Sequence, residues 1–154
     1  MTLWEMMRDR VATVMQTVNA TASHLFKETP LGIDVRQLPL SIFDGAYSLE
    51  FRGYPAVHPE VNTTVDVDVD VRINVAFVFN LAEQYDDATE TIINDKREYT
   101  RAVNDILSIV LAMQTSPLFA GVEFKGATNI EIQPANEFLG VCGIDFTLST
   151  GVTP

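Results

Sequence analysis

The sequence predicts an α+β fold: a mostly antiparallel β-sheet with an N-terminal helix and a central helix packed on one face. The expected order is α-β-β(long)-α-β-β-β. Three observations predict it. Apolar residues recur at helical spacing near the N-terminus and again between residues 95 and 115. From Val65 the chain alternates strictly between apolar and mostly polar residues over more than a dozen positions. Two short strands and one longer strand then follow, separated by Gly126 and Pro134.

Residues 2–26 read as an amphipathic helix. Trp4, Met7, Val11, Val14 and Val18 recur at spacings of three and four, widened by Met15, Ala22 and Leu25, which places them on one side of a 3.6-residue turn. Thr2 and Glu5 fit a capping box. Pro30, Gly32 and Pro39 punctuate residues 27–40. Ile33, Val35 and Leu38 in that stretch predict an ordered loop lying across another surface. Residues 41–52 read as a strand with Phe43, Tyr47, Leu49 and Phe51 on one parity. Gly53, Pro55 and Pro59 mark a loop to about residue 60.

The strongest signal follows. Val65, Val67, Val69, Val71, Ile73, Val75, Phe77 and Phe79 occupy the odd positions. Asp66, Asp68, Asp70, Arg72, Asn74, Ala76, Val78 and Asn80 occupy the even ones. Period-two alternation of this length specifies a strand with one buried face. At about 3.3 Å per residue it spans on the order of 50 Å, whereas strands usually have about 5–6 residues. The strand is therefore expected to outrun the core, as a projecting hairpin arm at 53–70 or by pairing with a neighbouring subunit. Residues 81–94 read as a polar connection or a first helical turn. The helix from about Asp95 to Thr115 carries Tyr99, Val103, Ile106, Val110 and Met113 on its apolar face, and Pro117 stops it. Strands are expected near 119–125, 128–133 and 138–149. The last has Cys142, Ile144, Phe146 and Leu148 inward, with Gly140 and Gly143 suggesting bends or bulges.

The chain has 154 residues, suited to one domain with a real core across 1–154. Ten basic and 21 acidic residues give a formal charge of −11. That sign excludes gripping nucleic acid through its phosphates, which needs clustered Lys and Arg. No run of 18 apolar residues is present, and Glu5, Arg8, Asp9 and Arg10 interrupt any signal-peptide core, so no membrane association is expected. The single cysteine, Cys142, excludes an intramolecular disulfide.

Chemistry-bearing patterns are sparse. His24 and His58 read as ordinary residues, with an interface or ligand role open for His58 because it lies in a loop. Cys142 reads as a buried thiol packing as a small hydrophobe. No nucleophile elbow, phosphate loop, dinucleotide fingerprint or zinc spacing occurs. The expectation is a non-enzyme with no catalytic, cofactor-binding or metal-ligating residues. Asp66, Asp68 and Asp70 match the opening of a calcium loop. The loop needs Gly at its sixth position and Glu at its twelfth, where this chain has Val71 and Phe77. The row is then a solvated strand face, an electrostatic feature of an assembly surface or an adventitious cation site, with Arg72 offsetting part of its repulsion. Like charge along the strand also discourages edge pairing.

In order, length and texture the chain resembles the tail terminator proteins of long-tailed bacteriophages, also called tail completion or minor tail proteins. The resemblance spans the N-terminal helix, Tyr47-Ser48-Leu49-Glu50-Phe51, the strand at 61–81, the helix at 95–115 and Ile144-Asp145-Phe146-Thr147-Leu148. It implies a homo-oligomeric, sixfold ring that caps the tail tube, ends its polymerisation and offers the surface that joins the head. Implied partners are the tail tube protein and a neck or head-completion protein, with DNA passing through the ring without specific binding. The implied location is the virion, after assembly in the host cytoplasm. Under this resemblance Asp66, Asp68 and Asp70 form an acidic lumen or assembly face, and Tyr54, His58, Val61 and Val65 an inter-subunit contact. The alternatives are a neck or head-to-tail connector, a tail tube subunit or, in another class, a small α+β enzyme or ligand-binding domain.

Overall fold

A computed structural model describes residues 3–52, 56–59, 65–78, 85–86, 91–92, 96–120, 122–128, 130–133 and 136–152. For residues 31, 56–59, 65–67, 85–86, 91–92, 96–99, 132–133, 136–138 and 149–152 it describes the backbone alone. The fold is α+β, with two helices against a mostly antiparallel sheet, in close to the expected order.

Helix α1 spans Leu3–Asn19 and buries Met7, Val11, Val14, Met15 and Val18. It ends seven residues before the periodicity suggests. The Asn19 amide leaves the helix to bind the backbone of Phe26 on both sides: Phe26 N donates to Oδ1 at 2.7 Å and Nδ2 donates to Phe26 O at 3.0 Å. An Asn side chain competing for main-chain groups favours such a stop. Leu25, expected on the apolar stripe, therefore lies outside the helix and is 60% exposed.

Strand β1 (Lys27–Glu28) runs parallel to β2 (Ala46–Phe51), the sole parallel pair among the described strands. Between them, residues 30–42 make three short 3-10 turns. This segment crosses the sheet face opposite the helices, where Val35 and Phe43 pack with Ala46, Ala76 and Val141. Phe43 thus does not share a face with Tyr47 and Leu49. Gly45, at φ 79°, turns the chain between them. A Cβ there would lie 2.4 Å from the Leu25 carbonyl oxygen, so the close approach of backbone to backbone requires glycine.

Strand β3 (Ala56–Pro59) and strand β4 (Val65–Val78) pair antiparallel from Ala56↔Asp68 to Pro59↔Val65. A two-residue ladder follows, β5 (Tyr85–Asp86) with β6 (Thr91–Ile92), where the sequence suggested a polar connection or a helical turn. Helix α2 spans Lys96–Thr115. Pro117–Phe119 is a 3-10 turn at the start of an expected strand, Ser116 Oγ accepting from Leu118 N. Strand β7 (Glu123–Ala127), strand β8 (Glu131–Gln133) and strand β9 (Asn136–Val152) complete the sheet. Gly126 is not the turn between the short strands. It lies within β7, where the register with β9 shifts.

The strand order is β1-β2-β4-β9-β7, with β3 also on β4 and β8 also on β9. The centre is the β4–β9 pair, running unbroken from Val65↔Val152 to Val78↔Leu139. β4 is flanked by β9 on one side and by β2 and β3 on the other. The excess length expected to reach a neighbouring subunit is therefore paired within the chain.

The odd face of β4 makes the core. Val69, Val71, Ile73, Val75 and Phe77 meet Cys142, Ile144, Phe146 and Leu148 of β9. Tyr47 and Leu49 of β2, the buried face of α1, and Ala102, Ile106, Ile109 and Met113 of α2 close over them. Phe119 lies edge-on to Phe146 at 5.9 Å. Truncating Phe146, which has no exposed surface, to alanine should lower unfolding free energy by about 3–5 kcal/mol, measured by urea titration at neutral pH.

Candidate assembly surface

The even positions of β4 open on the opposite, polar face. Strand pleating alternates the side chains, and the antiparallel register brings a partner from each flanking strand beside each one. Arg72 lies between Glu50 of β2 and Asp145 of β9. Its guanidinium grips Asp145 with both forks, Nε to Oδ1 at 2.7 Å and Nη2 to Oδ2 at 2.8 Å. Both side chains are about three-quarters buried, at 21% and 26% exposure. The pair holds the Asp145 carboxyl below the usual carboxylate range and raises Arg72 above its ordinary value, in each case chiefly through the hydrogen bonds.

Gly143, opposite Asn74 in the ladder, makes room for this pair. A Cβ there would lie 2.8 Å from Arg72 Cδ and 2.9 Å from Nε. The β4–β9 register passes through Gly140 and Gly143 without a break. The bends expected at these glycines are absent, and the register shifts fall in β7 and β8. Asn74 is fully buried and donates from Nδ2 to Glu50 Oε2 at 3.0 Å.

Asp70 is exposed but engaged. Thr147, directly opposite on β9, donates its hydroxyl to Oδ1 at 2.5 Å, and Lys125 of β7 donates at 2.9 Å. The Thr147 and Lys125 hydrogen bonds hold the Asp70 carboxyl below its ordinary value. Asp68 is half-buried. Asp66 is placed by its backbone alone, between His58 of β3 and Gly151 of β9 in the register. Val65 is likewise a backbone position, opposite Pro59 and Val152. The structure thus brings two predicted residues, His58 and Asp66, to one cross-strand position. Tyr54 and Val61 lie outside the described residues.

A second polar cluster carries no motif in the sequence. Asp105, buried in α2, accepts from the backbone N–H groups of Ser23 at 3.0 Å and His24 at 2.9 Å. The His24 ring donates from Nδ1 to Asp105 Oδ2 at 2.5 Å and packs edge-on against Phe77 at 5.0 Å. Its other nitrogen, Nε2, lies 3.8 Å from Asp44 Oδ1. An imidazole oriented by a carboxylate resembles part of a catalytic triad, but a triad also needs a nucleophile within hydrogen-bond reach of the second nitrogen. A carboxylate occupies that side here. The cluster acts as a clamp, tying the chain after α1 to the middle of α2.

The Cys142 thiol is buried in β9 and donates to the Thr128 carbonyl at 3.1 Å. Burial pushes it above its ordinary value, which suppresses the reactive thiolate. Among the described residues, no group of three or more His, Cys, Asp or Glu side chains is placed to hold a metal ion. No helix among them is long and apolar enough to cross a membrane.

No protein-family model matches the chain, and no curated protein is significantly similar to it.

Two outcomes test this face. Replacing Asp145 with Asn should destabilise the fold by about 1–3 kcal/mol at pH 7, because it strips a charged acceptor from a largely buried guanidinium. Asp145 is depressed in the folded state, so its contribution is complete above the unfolded carboxylate value of about 3.9. It is lost as pH falls through the lower folded value. Urea midpoints of wild type and variant should therefore converge in strong acid, and Gly143→Ala should reproduce the neutral-pH loss. In a separate measurement, Cys142 should resist thiol reagents in native buffer and react fully in 6–8 M urea, an ordinary denaturing range for proteins of this kind (about 1–3 kcal/mol/M slope).

Proposed function

We propose that the chain is a structural virion protein, a subunit of a ring that caps a phage tail tube, ends its growth and offers the surface that joins the head. The reading draws on the resemblance in element order and texture. The observation that carries it is the length of the β4–β9 ladder. The ladder runs through fourteen pairs, from Val65↔Val152 to Val78↔Leu139, with β3 added alongside, whereas strands usually have about 5–6 residues. A small enzyme gains little from so long a ladder, whereas an assembling subunit gains a rigid platform.

In this reading the ring is homo-oligomeric, with six subunits by resemblance. The tail tube protein and a neck or head-completion protein are its neighbours. No reaction or cofactor is assigned to it, and it is assembled in the host cytoplasm and carried in the virion. The arm at 53–70 supplies an inter-subunit contact through Tyr54, His58, Val61 and Val65. The row Asp66, Asp68 and Asp70 belongs to the lumen or assembly face. Since Asp70 engages Lys125 and Thr147 and Arg72 engages Asp145, that face presents mixed charge. Repulsion of DNA then comes from the net −11 of each copy more than from a bare acidic row.

Negative-stain electron microscopy of the purified chain should show rings with a central hole wide enough for duplex DNA. Their fraction should rise with ionic strength, because salt screens repulsion between acidic copies. Added to polymerising tail tubes, the chain should cap their length. Uncapped growth in its presence would favour the neck-connector or tube-subunit reading. Compact monomers in every condition would contradict the ring.

A further inference from the structure

His24 sits where four parts of the chain meet. Its side chain is 9% exposed. The ring lies edge-on to Phe77 of β4 at 5.0 Å and tilted against Phe26 at 6.2 Å. Those contacts fix where the ring lies, and Asp105 fixes its tautomer. Asp105 Oδ1 accepts from Ser23 N and Oδ2 from His24 N. Both oxygens are already acceptors, so Nδ1, at 2.5 Å from Oδ2, has to be the donor.

In the neutral ring the second nitrogen, Nε2, is then a lone pair. It faces Asp44 Oδ1 at 3.8 Å. That oxygen accepts the Val78 backbone N–H at 2.9 Å, at the end of β4. Two acceptors facing each other gain nothing. A proton on Nε2 reverses the relation, because the imidazolium has a donor on each nitrogen and a carboxylate in front of each. The 3.8 Å gap is about 1 Å longer than a charge-assisted N–H···O bond, so a small turn of the ring or of Asp44 closes it. Asp44 is half exposed, which gives solvent protons a way to this edge of the ring.

We infer that His24 is a proton-operated latch. Charged, it joins Asp44 and Asp105, and so ties α2 and the chain after α1 to the turn before β2 and the end of β4. Neutral, it keeps Asp105 and releases Asp44. Histidine is the side chain that ordinarily changes charge between about pH 5 and 8, so the latch works in that range. It does not depend on the ring reading, and each can fail without the other.

The charges around the ring leave this exchange to the two carboxylates. Asp105 faces it from α2 and Asp44 from the turn before β2. β4 brings Phe77 and the segment before β1 brings Phe26, neither of them charged. α1 buries apolar side chains alone. Arg101, one turn before Asp105, is exposed and itself engaged, and Lys27 on β1 is exposed.

A nuclear magnetic resonance titration from pH 5 to 8 tests the latch. The chain has two histidines, so a His58→Gln background leaves His24 as the one imidazole. The ring signals of His24 should report its change of charge. The Val78 amide and the Asp44 side-chain carbonyl carbon should each step at the ring's own midpoint, well above the range near pH 4 where carboxylates ordinarily titrate. The Gly143 amide, held by Thr128 Oγ1 at 2.8 Å, should not. In Asp44→Asn, which keeps an oxygen for Val78 but no anion, the ring should still titrate and the Val78 step should be lost. A urea midpoint reports that this exposed substitution leaves the fold intact. A Val78 amide and an Asp44 carbon that stay still while the ring titrates would overturn the latch. So would a ring that does not change charge between pH 5 and 8, or a Val78 step that persists undiminished in Asp44→Asn.

Discussion

The β4–β9 ladder is the constraint on which the rest of the structure depends. Its fourteen pairs run without a bulge from Val65↔Val152 to Val78↔Leu139. A side-chain period of two then assigns every residue of both strands to one face or the other. The odd face of β4 and the even face of β9 become the core, and α1 and α2 cover them. The reverse face is left to charge. A slip of one residue would put Asp68, Asp70 and Arg72 under the helices and Val71 and Ile73 in water.

The polar face helps hold that register. Arg72 reaches Asp145 only when the strands are aligned as observed, and Gly143 must be its neighbour for the guanidinium to lie flat. Asp70 finds Thr147 directly opposite and Lys125 one strand further on. Each pair is modest by itself in water. Together they favour one alignment of two long strands, of which β4 is valine-rich. On the helix-covered side of the sheet, where His24 packs on Phe77, Asp105 performs a comparable task, gathering Ser23 and His24 against α2.

Much of this architecture is legible in the sequence because it follows from local periodicity. The Val-Asp alternation places the start of β4 at Val65 and continues to Asn80, two residues past Val78, where the described strand ends, and the apolar stripe with Pro117 places α2 within a residue of its bounds. The parity of Cys142, Ile144, Phe146 and Leu148 assigns the inner face of β9. What escapes is set by contacts distant in the chain. α1 stops at Asn19 because of Phe26, and Phe43 changes face because Gly45 approaches Leu25. The partner of Asp105 lies 81 residues away. The role of Gly143 depends on an arginine on the neighbouring strand, so local reading takes it for a bend. The aspartate row is visible in the sequence as a run of like charge, whereas Lys125 and Thr147, which engage Asp70, belong to strands more than fifty residues on.

The functional account builds on the same ladder: a rigid, fully paired central pair that carries a core on one side and presents a fixed charge pattern on the other. Native-state amide hydrogen exchange of the monomeric chain tests that claim most directly. The account predicts that the amides of Val71, Ile73 and Val75, with those of Ile144 and Phe146, exchange only through global unfolding, with an opening free energy equal to that from denaturant titration. Exchange of these amides through a smaller opening than those of α1 would contradict it.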